Sequence, residues 1–359
     1  MPLPTDLIPP QAVNLAVRAV YALPAPVRRL IAGRQVSRDG QRLAPEAQLL
    51  LALMKLENTG LRDERVDLAR RRLERGQRLI QGRPVGAGST RALTVPNGDH
   101  PIPARLYTPA GLPSGSPLLV YYHGGGFVLG SIDSHDSLCR ELAVTAAVRV
   151  LSVGYRLAPE HPFPAAADDA LAAYEYAVKN AESFGADPGA VAVGGDSAGG
   201  NLAAVVGRTA EPAPAFALLF YPATDLSGHR RSRELFAEGF YLTDPDMTWF
   251  SDHYIPQERR TEPNASPLLA DDLGGFPPTY LATAGFDPLR DEGEEFAHRL
   301  ADAGVPVVLR RHEDLIHGFA NMGALGGRFA EAVSEAAGAL RMGLAMARPA
   351  GPSGLDDPA

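Results

Sequence analysis

Residues 191–201 read VAVGGDSAGGN, a run of small apolar residues followed by four glycines around one aspartate and one serine. Within it, Gly195-Asp196-Ser197-Ala198-Gly199 fits G-x-S-x-G, after a segment of strand type and before one of helical type. A turn that sharp holds its serine in strained backbone space. Side chains two residues to either side would collide with the strand and helix beneath, so glycine fits there. The turn lifts the Ser197 hydroxyl clear of the chain and aims the Ala198 N–H, at a helix N-terminus, toward a substrate carbonyl. That is the layout of an acyl-transfer nucleophile. A phosphate loop would follow its last glycine with Lys and then Ser or Thr, but Gly200 is followed by Asn201 and Leu202. A dinucleotide loop needs G-x-G-x-x-G on an early strand, and this is about the fifth. A plain tight turn is sufficient only if nothing else in the chain completes the chemistry.

The rest of the chain does supply partners. YYHGGGF (121–127) ends a strand-like run in three glycines. Without a Cβ in the way, the N–H groups of Gly124, Gly125 and Gly126 can approach a ligand and join Ala198 around a developing oxyanion. Each such donor is worth about 3 kcal/mol in the transition state. His123 reads as a loop anchor rather than a base. A serine needs a base, and the base needs an orienting carboxylate, which follow in the order Ser, acid, His on this kind of turn. The later histidines are His229, His253, His298, His312 and His317. His317, in EDLIHGF, follows the last strand in a loop at the carboxyl edge of the sheet. His312 lies in or at the end of that strand and His298 on a helix, both structural. For the acid, Asp287 directly follows the strand TYLATAGF, and Pro288 keeps it out of helix. Asp291 and Glu292 begin the next helix and suit its positive end. Asp225, after the preceding strand, is the alternative acid.

These residues need a sheet to hold them. Residues 1–90 read as helices punctuated by Pro24, Pro26 and Pro45, with no strand pattern before about residue 90. Asn97-Gly98 marks a hairpin between TRALTV and IPARLYTP. Strands then alternate with helices: SPLLVYYHGG, VRVLSVGY, AVAVGGD, AFALLFYPA, PTYLATAGFD and VPVVLRRHE are short and Val/Leu-rich. Strands buried on both faces read this way, which predicts an α/β, mostly parallel sheet covered on both sides. About fifty residues separate FYPATDL from PTYLATAGF. That is too long for a structureless loop, so the connection holds helices such as DPDMTWFSDHYI. Trp249, Phe250 and Tyr254 share a face of that helix and read first as core. The tail 348–359 is Pro/Gly/Asp-rich and reads as disordered.

The chain has 359 residues and a formal net charge of −8, which disfavours a polyanionic partner. The basic run RRRLER (70–75) reads as the wet face of a helix. One cysteine, Cys139, allows no internal disulfide and no cysteine-based zinc site. There is no HExxH and no clustered His/carboxylate set, so neither a metal nor an organic cofactor is expected. The N-terminus makes a poor signal peptide, and LLLALM (49–54) is far shorter than the ~18 residues of a membrane span. A cytoplasmic protein with no membrane insertion is the expectation. Pro breaks and mixed charge make the first 90 residues a cap rather than a membrane contact.

Together, HGGGF, YRLAPEHPFPAAADDA (155–170), GDSAGGNLAA (195–204), DPLRDEG (287–293) and HGF (317–319) resemble the hormone-sensitive-lipase-like branch of the α/β-hydrolases, the bacterial family IV esterases. The motifs run in that family's order from about residue 118 to 320. The resemblance implies an eight-stranded, mostly parallel sheet, with a cap built from the N-terminal helices and an insertion at 224–277 on a catalytic domain at 91–347. It also implies a Ser197–Asp287–His317 triad and hydrolysis of a small-molecule carboxylic ester of short to medium acyl length. A homodimer through the last strand or terminal helix would be in keeping with it. The same triad serves amides or carbamates, and the same fold hosts non-catalytic receptors with incomplete triads. In YRLAPEHPFPAAADDA, Arg156, Glu160 and Asp168 read as a buried pairing that steadies the serine's surroundings.

Overall fold

The computed structural model describes residues 10–57, 60–63, 65–82, 85–86 and 88–347; the tail expected to be disordered lies outside them. Eight strands form the main sheet: β1 (Ser89–Val95), β2 (Ile102–Thr108), β3 (Ser116–Tyr122), β4 (Arg149–Val153), β5 (Ala186–Asp196), β6 (Ala217–Phe220), β7 (Thr279–Phe286) and β8 (Val307–Ile316). Their order across the sheet is β8-β7-β6-β5-β3-β4-β2-β1. β1 and β2 pair antiparallel, as do β2 and β4; every other neighbour is parallel. The central strands are buried on both faces, while the exposed, polar β1 closes one edge.

Helices cover both faces. The helices are α1 (Pro10–Tyr21), α2 (Ala25–Ala32), α3 (Pro45–Glu57), α4 (Val66–Ile80), α5 (Asp136–Ala146), α6 (Ala165–Lys179), α7 (Ala198–Thr209), α8 (Arg231–Leu235), α9 (Asp244–Tyr254), α10 (Arg290–Asp302) and α11 (Gly327–Ala347). Alternate strand residues feed two cores. Val191 and Val193 point to one, with α6, α7 and α10; Ala192 points to the other, with α5 and α11. α7 is apolar nearly all round and buried along ten successive residues, as a helix in the middle of a core must be. The long 224–277 connection holds α8 and α9. α9 starts at a capping box, in which Thr243 and Asp246 satisfy each other's backbone N–H groups.

Two readings of the sequence need correction. The first 90 residues are not purely helical, because Ser37–Arg38 pairs antiparallel with Gln41–Arg42. Asp39 and Gly40 turn this hairpin with positive φ, the Asp-Gly signature of a tight turn that was present in the sequence. The pairing in YRLAPEHPFPAAADDA also differs. The guanidinium and backbone N–H of Arg156 bond Asp169, with side-chain contacts from 2.7 Å, while Glu160 pairs with Arg70 of α4. Asp168 lies on the exposed side of α6, one position off the buried stripe Ala166, Asp169, Ala170, Ala173.

Asp169 is fully buried, so removing its cation leaves an uncompensated charge. Arg156→Met is expected to lower stability by about 3 kcal/mol, read as a drop in the urea midpoint at unchanged m-value.

Candidate active site

Strand ends set the site. β3 and β5 are neighbours, yet the chain leaves β3 for β4 on one side and reaches β5 on the other. The crevice at such a switch point opens at the carboxyl ends of the strands. There β3 delivers the glycine loop and β5 delivers Ser197. At the other side of the sheet Ile316 pairs with Phe286, so the next residues, His317 and Asp287, come side by side.

Ser197 sits at φ 55°, ψ −119°, between β5 and α7. Its N–H donates to the Phe220 carbonyl at 2.9 Å, and its carbonyl accepts from Asn201 and Ala223. Gly199 allows the turn: a Cβ there would stand 1.9 Å from the Tyr122 carbonyl oxygen of β3. His317 Nε2 is 3.0 Å from Ser197 Oγ, and Nδ1 is 2.8 Å from Asp287 Oδ2. With Nδ1–H donating to the carboxylate, Nε2 is left to accept the serine hydroxyl proton. Asp287 is fully buried, and its other oxygen accepts the Leu289 N–H. The Tyr221 ring packs on the imidazole at 4.7 Å.

The glycine loop faces Ser197. Among the described residues the N–H groups of Gly125, Gly126 and Ala198 donate to nothing, so these three are free for an incoming oxygen. Ala198 opens α7, where first-turn N–H groups lack helical partners. Gly124 departs from the expectation, because its N–H already donates to Asp196 Oδ1 at 3.0 Å. A Cβ on Gly126 would fall 2.2 Å from the Phe250 ring of α9, so the loop and α9 fit only through glycine there.

The other candidates stand outside this triad. Asp225 lines the same cleft, but its carboxylate is bonded to groups other than His317. Its carboxylate accepts from Ser227 and Gly228 and pairs with Arg230, closing its own loop. His312 is buried in β8, and burial pushes its imidazole down to about 4. His298 lies on α10. His123 Nδ1 donates to the Gly124 carbonyl, and burial with His135 beside it pushes the ring down to about 3. Such a ring anchors the loop through its single N–H and stays uncharged near neutrality. No group of three or more His, Cys, Asp or Glu among the described residues is arranged to hold a metal.

Sequence reasoning missed the parts played here by Asp196, His135, Glu292 and Gln77. Asp196, the variable position before Ser197, is a buried hub: it accepts from Tyr121 OH at 2.8 Å, Gly124 N–H and Asn321 Nδ2, and His135 Nε2 lies 3.1 Å away. Burial pushes its carboxyl up, but His135 and the donors outweigh this and hold it below its ordinary value. Glu292 and Gln77 line the same cleft as the triad, among Leu73, Leu129, Leu226, Leu242, Met247 and Phe250. Gln77 Oε1 is buried without a hydrogen-bond partner. Phe250 and Tyr254 are core and cleft wall at once.

A family model described as the alpha/beta hydrolase fold matches residues 119–321. The chain is 44% identical over 343 residues to the carboxylic ester hydrolase LipN of Mycobacterium tuberculosis, covering 92% of this chain and 91% of that one. It is 39% identical to an ethyl acetate hydrolase of Pseudomonas putida, covering 72% and 84%. Among solved structures it superposes with TM-score 0.81 and 41% identity on an ester hydrolase from the metagenome of Lake Arreo bound to a bipyridine phosphonate derivative, over 84% of this chain and 98% of that one.

Glu292 makes a pH prediction. Burial pushes its carboxyl up to about 8 against the pull of the Thr224 and Asp225 N–H groups. Below its ordinary 4.5 both folded and unfolded chains hold the proton, and the group is neutral to stability. Between 4.5 and about 8 only the folded chain holds it, so stability falls as pH rises through that window. Glu292→Gln keeps the acceptor oxygen and removes the titration. Its melting temperature should match wild type near pH 4 and exceed it increasingly up to about pH 9, measured by calorimetry. A difference independent of pH would contradict a protonated Glu292.

Proposed function

This chain belongs to the hormone-sensitive-lipase-like carboxylesterases of the alpha/beta hydrolase fold, and we propose that it hydrolyses short- to medium-chain carboxylic esters through an acyl-enzyme on Ser197. The observation that carries the reading is the relay from Asp287 through His317 to Ser197, at 2.8 and 3.0 Å. His317 Nε2 takes the Ser197 proton as Oγ attacks the ester carbonyl. The carbonyl oxygen becomes an oxyanion among the N–H groups of Gly125, Gly126 and Ala198. His317 returns the proton to the leaving alcohol oxygen. Water then enters, His317 takes its proton as the oxygen attacks the acyl carbonyl, and His317 returns that proton to Ser197 Oγ as the acid is released. Asp287 holds the imidazole in the working tautomer and stabilises the imidazolium.

Gly124 has a different part in this scheme. Its N–H, bonded to Asp196, fixes the loop so that the next two N–H groups face the oxyanion. Residues 1–90 and the 224–277 insertion act as the cap on the catalytic domain 91–347. Leu73 of α4 and Met247, Phe250 and Tyr254 of α9 bound the acyl side of the cleft.

The test compares wild type with Ser197→Ala and Asp287→Asn on p-nitrophenyl esters from acetate to palmitate. Turnover should peak at short to medium chains and fall by at least ~10³ in Ser197→Ala and by about 10³–10⁴ in kcat for Asp287→Asn. A serine-directed phosphonate should add covalently at Ser197. Folded protein that neither labels nor turns over any of these esters would overturn the reading in favour of a non-catalytic receptor. Labelling without ester turnover would move it to amides or carbamates.

A further inference from the structure

Helix α2 is turned the wrong way round for a helix in water. Val27, Leu30 and Ile31, spaced i, i+3, i+4, form one apolar stripe, and all three are exposed, Leu30 at 84%. The half-buried side, packed near α3, carries Arg28 and Ala32, and no residue of α2 is buried. The Arg28 Nε is enclosed without a hydrogen-bond partner. An amphipathic helix ordinarily hides its apolar stripe. On α1, Leu15 is 71% exposed beside the exposed Ala16, Arg18 and Ala19.

The charge around this face is of one sign. Residues 10–38 contain five arginines and no aspartate, glutamate or lysine, in a chain of net charge −8. Beyond this stretch the first acidic residue is Asp39. Arg38, though exposed, is engaged by the Leu235 carbonyl and the Phe240 ring. Arg18, Arg28, Arg29 and Arg34 pair with no carboxylate among the described residues, whereas arginines of α4 and beyond, such as Arg65, Arg71, Arg72 and Arg105, do.

An exposed Leu/Ile stripe flanked by unneutralised guanidinium groups matches the boundary layer of an anionic bilayer. The apolar side chains enter beneath the headgroups while the arginines meet phosphates. We propose that the α1–α2 face docks this protein onto an anionic lipid surface. A second copy is the poorer occupant, because a symmetric contact would bring like charges together. α1 is also tied to a helix that lines the cleft. Asn14 Nδ2 of α1 donates to the Leu79 and Gln81 carbonyls at the end of α4, whose Leu73 and Gln77 line it.

The test is co-sedimentation of the full chain with vesicles of phosphatidylcholine alone or with about a third phosphatidylglycerol. Wild type should partition onto the anionic vesicles at least about tenfold more strongly, with most of that lost in about 0.5 M NaCl. Leu30→Ser with Ile31→Ser, and separately Arg29→Glu with Arg34→Glu, should each lower partition by about tenfold or more. Both variants should hydrolyse a soluble short-chain ester like wild type and keep the wild-type circular dichroism, which separates docking from folding and from catalysis. Equal partition of wild type and both variants would overturn the proposal. So would a wild-type dimer that the Leu30/Ile31 variant dissolves into monomers, because the stripe would then be covered by another copy.

Discussion

Everything in the site depends on one strained residue. Ser197 holds φ 55°, a conformation costing on the order of 1–3 kcal/mol that persists only where its surroundings over-determine it. Here they do. β5 is fixed by parallel pairing on both sides, with Gly195 opposite Tyr122 of β3 and Asp196 opposite Phe220 of β6. α7 starts at the next residue and is buried almost throughout. α7 lies so close to the sheet that Gly199 rests against the Tyr122 carbonyl of β3. The turn cannot relax without pulling a buried helix off a buried sheet, and so the hydroxyl stays aimed at His317.

A second constraint ties the glycine loop to the same turn. Asp196 is the last residue of β5, and its side chain leaves the strand on the opposite face from the preceding glycine. It reaches across to the Gly124 N–H and the Tyr121 hydroxyl of β3, and to Asn321 beyond β8. One buried carboxylate therefore sets the spacing between the nucleophile's strand and the loop opposite. It tolerates burial because several donors converge on it, and leaving a buried acceptor unsatisfied costs more than any one of those bonds gains. Asp225 solves the same problem locally, with Ser227, Gly228 and Arg230, and so steadies a loop rather than joining two strands.

This division explains what was legible in the sequence. Strands buried on both faces announce themselves by composition, as β3, β4, β6 and β7 do, whereas the exposed β1 was marked by the Asn97-Gly98 turn that joins it to β2. Asp287 and His317 stand out because each is the first residue past a strand, where the register of β7 and β8 makes them neighbours. Asp196 was hidden because the position between glycine and serine places no chemical demand on its own. Its role comes from contacts 61 to 125 residues away. The engagement of Gly124 was hidden for the same reason, since three glycines in a row look alike until one meets a carboxylate. Asp168 and Asp169 differ only in helix phase, which the alanine-rich α6 does not mark strongly. The Asp39-Gly40 turn was readable, but the helical pattern around it masked a two-residue ladder.

The cleft walls obey weaker rules. The groups aligned for chemistry sit on strand ends and a buried helix, whereas the walls come from α4 and α9, which lie outside the main sheet. Apolar walls can exchange one side chain for another of similar volume at small cost, so their shape drifts without disturbing the relay behind them. Among the polar groups that break that pattern are Glu292, anchored by the Thr224 and Asp225 N–H groups, and Gln77, whose Oε1 has no protein partner. A buried amide left unsatisfied costs on the order of 1–3 kcal/mol, which a leucine at the same place would avoid. The part of the cleft free to differ in shape therefore lies on α4 and α9, which carry none of the relay residues.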